Sequence, residues 1–281
     1  FFKQKTAYEM LRSLVGSEMC IRDRAPCSPF NVTTELLRQT RSLARERGVL
    51  LHTHLAETLD EERFCLQRFG RRPVEYLADL GWLGPDVYLA HCVWLGDDEI
   101  RLLADTRTGV IHCPSSNLRL GSGIAPLERL LAAGVRVGLG VDGSSSNDAG
   151  NLLAEARQAL LLARGLPALH GSSAPAADLF SPAEAFKLAT VGGAACLNRP
   201  ELGHLNPGAA ADFAMFRTDD VALAGAVAHD PVAALILCLP ARAEHVFVAG
   251  RRVVRDGHLV GADEAALAAR LNELVRSRFG D

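Results

Sequence analysis

The stretch VLLHTHLAE, residues 49–57, decides the fold class, because it joins an apolar run to a histidine and a carboxylate. Three later apolar runs also end at a polar residue, which is His91, His112 or Asp142. Amphipathic segments separate the four runs, and this alternation is typical of a parallel β-sheet with crossover helices. Barrels of the (β/α)8 type collect catalytic groups at the carboxyl ends of their strands. The sequence therefore predicts an α/β fold, with a (β/α)8 TIM-type barrel favoured over an open sheet.

The apolar runs, helix caps and Pro/Gly turns predict where each element lies. Strands are expected over 49–54, 87–91, 109–112 and 135–142, followed by short strands over 212–216, 245–248 and 251–255. Helices are expected from Thr33 or Thr34 to 47, over 61–69, 74–80, 97–106 and 126–132, after 147, and over 182–197 and 263–278. A flexible loop is expected over 166–177.

The composition is that of an ordinary globular protein whose partners are small molecules. The 281 residues are 48% hydrophobic, which is enough apolar material for a substantial core. A formal net charge of −3 offers no basic face for phosphates, which argues against nucleic acid or anionic membranes as partners. No run reaches the roughly 18 apolar residues of a membrane span. Seven scattered cysteines without a CxxC pair indicate a reducing cytoplasm.

The first 24 residues differ in composition from the rest of the chain. Two of the three lysines and two of the three methionines precede residue 25. Charged residues interrupt every apolar run there, which argues against a signal peptide. We therefore expect 1–24 to be a foreign or artefactual leader, with an ordinary divergent terminus as the alternative. The expected divisions of the rest are the carboxyl-terminal half of a barrel over 25–200, β-sandwich strands over 201–262 and a last helix over 263–281.

A histidine and a glutamate stand three residues apart at the end of the first run. His54 offers an imidazole, a preferred zinc ligand, and Glu57 offers a carboxylate that can shuttle protons beside a metal. Such a pair arises often by chance, and a hydrogen-bonded loop histidine is the alternative interpretation. His52 shares a strand face with His54, so these two imidazoles could also chelate one metal.

The later runs add a second histidine and a second carboxylate. His91 ends one run and Asp142 ends another, where an isolated buried carboxylate would be very costly unless it were paired, hydrogen-bonded or metal-bound. Cys113 follows His112 and serves equally well as a ligand or as a small buried hydrophobe. Together with His54, these strand ends predict a metal site built from separate elements.

Four motifs, in this order and spacing, resemble those of one enzyme family. They are His54-Leu-Ala-Glu57-Thr, Ala90-His91-Cys92, His112-Cys-Pro-Ser-Ser-Asn117 and Gly138-Leu-Gly-Val-Asp142-Gly. The chain resembles the nucleobase-deaminase branch of the amidohydrolase superfamily from about residue 25 to 260. Segments 118–126 and 141–148 look most like members of that branch that act on 8-oxoguanine. Segment 203–212 resembles the passage from the family's barrel to its composite β-sandwich, although Ala209 replaces a lysine that is common there.

The resemblance implies zinc-dependent hydrolytic deamination, with one Zn²⁺ per site. In that picture His54 and Asp142 bind the zinc ion, while Glu57 and His91 flank the attacking water. Asp142 accepts the proton of the water, and Glu57 protonates the ring nitrogen beside the carbon that carries the amine. The product from 8-oxoguanine would be uric acid, with release of ammonia.

Several alternatives stay open. The substrate could also be guanine, an S-adenosylhomocysteine-like nucleoside or an amino-s-triazine, because the loops of a barrel determine its substrate specificity. Ser115 and Asn117 are candidate substrate-binding residues because of their position at the end of the third run. The family's first strand also carries a His-x-His metal pair, and no histidine precedes His52 here. We therefore expect the 281-residue chain itself to be inactive. A protein without catalytic activity, in which the remnant of the barrel serves binding or assembly, is the alternative to an enzyme. A homo-oligomer is compatible with both the enzyme and the non-catalytic alternative.

Overall fold

In a computed structural model of the chain, residues 23–169, 171, 179–238 and 242–280 are described. Five parallel strands form one sheet in the order β1-β2-β3-β4-β5. They are β1 (Asp23–Arg24), β2 (Leu50–Leu55), β3 (Val87–His91), β4 (Gly109–His112) and β5 (Arg136–Leu139). Each strand pairs with its sequence neighbour, as consecutive strands of a (β/α)8 barrel do. The predicted α/β fold is confirmed, as part of such a barrel.

The connecting helices begin and end close to the predicted bounds because their caps are strong. Thr33 and Thr58 accept hydrogen bonds from backbone N–H groups of the first turns that follow, and Gly48 and Gly70 close the two helices in the left-handed region. The helices are α1 (Thr34–Arg47), α2 (Leu59–Phe69), α3 (Pro73–Asp79), α4 (Asp97–Asp105), α5 (Pro114–Arg119), α6 (Leu127–Ala132) and α7 (Leu152–Leu169).

Two local predictions need correction, and one helix was not predicted. Strand β5 ends at Leu139 rather than Asp142, because its partner β4 ends at His112 and leaves residues 141 and 142 without a strand to pair with. Helix α5 was not expected, although Pro114 occupies its first turn, where proline is favoured. The predicted loop begins too early, since 166–169 still belong to α7; of its remainder only Gly171 lies within the described residues.

The predicted helix over 182–197 is present in three parts. They are α8 (Pro182–Lys187), a π-helical turn (Leu188–Gly192) and α9 (Gly193–Cys196). This segment packs closely on β5, where a Cβ at Gly138 would lie only 2.8 Å from the Cα of Gly193. Glycine at position 138 is therefore required by the close approach of the two backbones.

A second, antiparallel sheet follows, and it contains the three predicted short strands. Its order is β6 (Phe213–Phe216), β7 (Ala243–Val248), β8 (Arg251–Arg255) and β9 (His258–Leu259). Helices α10 (Ala226–His229) and α11 (Pro231–Leu237) interrupt it, and α12 (Glu264–Phe279) follows it. Ile236 of α11 is fully buried in the same apolar cluster as the parallel sheet. The predicted division at residues 200 and 201 stays a prediction.

Two further observations concern the leader and the membrane. Asp23 and Arg24, the last residues of the predicted leader, form β1 and pair with Leu50 and Leu51; residues 1–22 lie outside the described part. Among the described residues, no helix is both long and apolar enough to cross a membrane.

The alternation of side chains along β2 positions the site. Leu51 and Leu55 are fully buried in the core against the helices, so His52 and His54 lie on the opposite face of the sheet. The core between sheet and helices also holds Trp82, whose Nε1–H donates to the carbonyl of Leu37 at 2.9 Å. A well-packed layer thus supports the strand that carries His54.

Candidate metal and catalytic site

Three of the predicted site residues meet beyond the carboxyl ends of the parallel strands. Nitrogen atoms of His54 and His91 and a carboxylate oxygen of Asp142 all lie within 4.8 Å of one another. Two imidazoles and a carboxylate form a donor set suited to a first-row transition metal. The sequence prediction that these strand ends converge agrees with this arrangement.

His54 is oriented by the backbone of the preceding loop. Its Nδ1 lies 2.6 Å from the carbonyl oxygen of Cys27, so Nδ1–H donates and Nε2 keeps its lone pair. The ring stacks on His91, with centroids 5.3 Å apart and an interplanar angle of 23°. A ligating histidine is commonly fixed through its second nitrogen in this way.

His91 is buried and held from both sides. Its Nδ1 lies 2.8 Å from Oδ1 of Asn117, and its Nε2 lies 3.7 Å from Oε2 of Glu57. Its backbone is in the left-handed region, with φ of +71°. Such strained backbone is maintained only where the surrounding structure enforces it, and it is concentrated at functional sites.

Asp142 lies in the loop after β5 and is exposed, so its expected burial at a strand end is wrong, whereas the hydrogen bonding expected of it is present. Its Oδ2 accepts hydrogen bonds from the hydroxyls of Ser116 at 2.6 Å and Ser146 at 3.0 Å. Partial burial acts to raise the pKa of Asp142, but the bonds from Ser116, the Gly143 backbone and Ser146 outweigh it and lower the pKa. The carboxylate is therefore kept ionised and oriented.

Glu57 faces the same space from the turn after β2. Its Oε1 accepts a hydrogen bond from the hydroxyl of Ser122 at 3.1 Å, and its Oε2 is the oxygen nearest His91. A cavity of about 390 Å³ opens between these residues and is lined by His54, Glu57, His91 and Asp142 together with Cys27, Ser28, Phe30, Asn31, Thr58, Glu61, Leu120, Ser145 and Ser146. This volume suits a small heterocycle.

The two residues predicted to bind substrate have other contacts. Asn117 is buried and bonds His91, and Ser115 uses its backbone N–H to bond Oε2 of Glu155 at 3.0 Å. Neither residue lines the cavity. Their substrate-binding role stays a prediction, whereas the contact of Asn117 shows that it supports the His91 imidazole.

The remaining candidates lie outside the group of ligands. His52 bonds the carbonyl of Tyr88 through Nδ1 at 3.1 Å and stacks on its ring, with centroids 4.4 Å apart. Burial lowers the pKa of His52. Cys113 is buried and burial raises the pKa of its thiol to about 12, so it behaves as a small hydrophobe.

A second group of potential ligands lies in the antiparallel sheet. Glu244, His245 and Asp256 bring donor atoms within 4.8 Å of one another. The His245 Nδ1, however, accepts the backbone N–H of Asp256 at 3.3 Å, and Glu244 pairs with Arg217 at 3.7 Å. These contacts explain the cluster without a metal.

Comparison with known proteins identifies one family. Residues 16–258 match the family model described as the amidohydrolase family, and this match begins within the predicted leader. The chain is 52% identical over 246 residues to an 8-oxoguanine deaminase from Pseudomonas aeruginosa, a match that covers 88% of this chain and 53% of the relative. It is 38% identical to an isoxanthopterin deaminase from an unknown prokaryotic organism, covering 88% of this chain and 52% of the relative.

Solved structures agree with this result. A zinc complex of atrazine chlorohydrolase from Arthrobacter aurescens TC1 superposes with a TM-score of 0.82 at 36% identity, covering 89% of this chain and 54% of that chain. The chain spans about half the length of the curated relatives it matches. The family model, the relatives and the shared fold together confirm the resemblance seen in the motifs, and the chain belongs to the amidohydrolase family.

Proposed function

We propose that this chain carries the acid–base residues of a hydrolytic deaminase that converts 8-oxoguanine and water to uric acid and ammonia. The observation that supports it most is the convergence of His54, His91 and Asp142, with Glu57 beside His91. Each of these side chains is oriented by a hydrogen bond from outside the group. Such preorganisation is what acid–base catalysis requires.

Zinc fits the donor set, and one ion per site is proposed. His54 and Asp142 would hold it, with the lone pair of the His91 Nε2 directed to the same space. When bound in such a site, zinc makes water nucleophilic near neutral pH. The Cys27 carbonyl and the Ser116 and Ser146 hydroxyls would orient the ligands.

The protein side chains would then move the protons. Asp142 takes a proton from the water that attacks the ring carbon bearing the amine. Glu57 gives a proton to the adjacent ring nitrogen, and His91 polarises the water. The proton held by Asp142 passes to the departing amine, the C–N bond breaks and ammonia leaves, and the remaining proton of the new hydroxyl group returns to Glu57 as the ring carbonyl forms.

The substrate is proposed from the relatives. The 8-oxoguanine deaminase shares 52% of the aligned residues, whereas relatives named for isoxanthopterin or 5'-deoxyadenosine share 38% and 35%. All of these names refer to aminated heterocycles. A non-catalytic remnant is less well supported, because Glu57, His54, His91 and Asp142 are retained together with the bonds that orient them.

A chimaera tests the proposal. In it, the 246 aligned residues of the Pseudomonas relative are replaced by those of this chain. We expect release of uric acid and ammonia from 8-oxoguanine, with lower kcat/KM for guanine, isoxanthopterin, 5'-deoxyadenosine, S-adenosylhomocysteine and an amino-s-triazine. A folded, zinc-loaded chimaera that releases no ammonia from 8-oxoguanine would overturn the proposal.

Two controls complete this experiment. Asp142→Asn should abolish turnover in the chimaera, while Asp148→Asn, an exposed change in the same loop, should not. The purified 281-residue chain should release no ammonia, because it contains no His-x-His pair upstream of His52. Ammonia release by that chain would show that its own residues complete the site.

A further inference from the structure

The first turn of α2 contains a buried carboxylate to which the proposed reaction gives no role. Glu61 is 4% exposed, and its Oε2 accepts the backbone N–H of Glu57 at 3.0 Å. Its Oε1 is buried and has no hydrogen-bond partner among the described residues. A buried acid with one unpaired oxygen is costly, so its presence calls for an explanation.

Helix capping does not explain it. Glu61 is the third residue of α2, and in a capping box a glutamate at this position accepts from the N–H of the N-cap residue. Here the N-cap is Thr58, whose Oγ1 accepts the Glu61 N–H at 3.3 Å, which is one half of a capping box. The other half is not formed, because the Glu61 carboxylate accepts the N–H of Glu57, one residue before the N-cap.

The backbone that Glu61 holds is strained. Ala56 has a φ of +50°, a conformation that an alanine adopts only when its surroundings enforce it. On one side the Ala56 carbonyl accepts the N–H groups of Val93 at 3.0 Å and Trp94 at 2.9 Å. On the other side Glu61 accepts the N–H of Glu57 and also interacts with the backbone of Ala56.

We propose that Glu61 is a positioning residue that fixes the turn at Ala56 and thereby aims the Glu57 carboxylate at His91. The inference rests on the acid–base role proposed for Glu57. Burial also raises the pKa of Glu61 to about 7, as expected for a carboxyl group whose ionised form is destabilised by its apolar surroundings.

The first test uses the 281-residue chain and needs no activity. Glu61→Met removes the carboxylate that accepts the Glu57 N–H and keeps a similar side-chain volume, whereas Glu61→Gln keeps an accepting oxygen. Glu62→Met is the matched control, because it removes a carboxylate of the same helical turn that pairs with Arg72 and not with Glu57. We expect hydrogen exchange of the Glu57 amide to accelerate at least about tenfold in Glu61→Met and to change little in the other two. Unchanged Glu57 exchange in a folded Glu61→Met variant would overturn the proposal.

A second measurement covers the case in which Glu61→Met does not fold. Above pH 7, where the Glu61 carboxyl group is ionised, Glu61→Gln replaces a charged acceptor by a neutral one, so the amide proton of Glu57 should move upfield in the NMR spectrum. A Glu57 amide shift identical to that of the parent chain would contradict the proposed contact.

The second test uses the chimaera described above. We expect Glu61→Met to lower kcat on 8-oxoguanine about tenfold or more at an unchanged KM, Glu61→Gln to restore most of the loss, and Glu62→Met to behave as the parent. An unchanged kcat in Glu61→Met would overturn the positioning role. An inactive parent chimaera would count against the proposed deaminase function alone, since the exchange measurement decides the Glu61 contact independently.

Discussion

Asn117 Oδ1 lies 2.8 Å from Nδ1 of His91, and this contact decides which ring nitrogen faces the site. An amide oxygen accepts, so Nδ1–H donates to Asn117 and Nε2 faces Glu57, His54 and Asp142. Helix α5 carries Asn117 to this position, because it begins at Pro114 directly after β4. Asn117, a candidate substrate contact by its position in the sequence, thus orients the His91 imidazole.

Removing that contact should slow the proposed reaction, because His91 is the group proposed to polarise the attacking water. We expect Asn117→Ala to lower kcat on 8-oxoguanine by roughly 10–100-fold, the usual loss of activity when the partner that orients a site histidine is removed. The measurement is steady-state release of uric acid by the chimaera. Ser115→Ala is the matched control, since Ser115 bonds Glu155 through its backbone alone. Equal losses in both variants would contradict the orienting role.

The two hydroxyls on Asp142 lead to a second prediction. Ser116 and Ser146 both donate to Oδ2, and their bonds lower the pKa of the carboxyl group. Ser116→Ala should therefore raise the pKa of Asp142 and reduce zinc affinity about tenfold. Ser144→Ala, an exposed change in the same loop, should leave both quantities unchanged. The pKa is measured by NMR titration of the metal-free protein.

The sequence predicts the strands and their convergence because these follow from local rules. Each apolar run between amphipathic segments became a parallel strand, and parallel strand ends meet at one edge. His54, His91 and Asp142 could therefore be placed together from the order of the runs alone. The residue at which β5 ends could not be predicted in this way, because it depends on the neighbouring strand β4, which ends at His112.

The supporting contacts could not be predicted, since they join residues that are distant in sequence. Ser122 bonds Glu57 across 65 positions, and Ser116 bonds Asp142 across 26. Serine is common in loops, so no local pattern distinguishes these hydroxyls from solvated ones. Glu61 has the spacing of a capping residue, and only the geometry shows that it contacts Glu57 instead.

The roles of the two histidines on β2 can be separated. His54 belongs to the candidate ligand group, whereas His52 bonds the carbonyl of Tyr88 and lies outside that group. In the chimaera we expect His54→Ala to lose most of its zinc on dialysis and His52→Ala to retain it. The two changes are identical and stand on the same strand face, so each serves as the control for the other. Loss of zinc in His52→Ala would favour the alternative in which both imidazoles bind one metal.

The last prediction concerns the pH dependence of stability, to which two buried groups contribute with opposite signs. Burial raises the pKa of Glu61 to about 7 from an ordinary 4.5, so its contribution is full below pH 4.5 and is lost as the pH rises through 7. Burial lowers the pKa of His112 to about 4 from an ordinary 6.5, so its contribution is present above pH 6.5 and is lost as the pH falls through 4. Between pH 4.5 and 6.5 the two slopes oppose each other.

Each of these shifts corresponds to about 3 kcal/mol of unfolding free energy. The two contributions oppose each other over this range, and each single variant should reveal one of them as a change of slope relative to the parent chain. Compared with the parent, we expect the free energy of unfolding to rise more steeply with pH in Glu61→Gln, which lacks the Glu61 contribution, and less steeply or to fall in His112→Asn, which lacks the His112 contribution. Urea unfolding at pH 4.5, 5.5 and 6.5 measures both slopes, with Glu62→Gln as a control expected to follow the parent chain. Parallel profiles in all four proteins would show that neither group titrates differently in the folded and unfolded states.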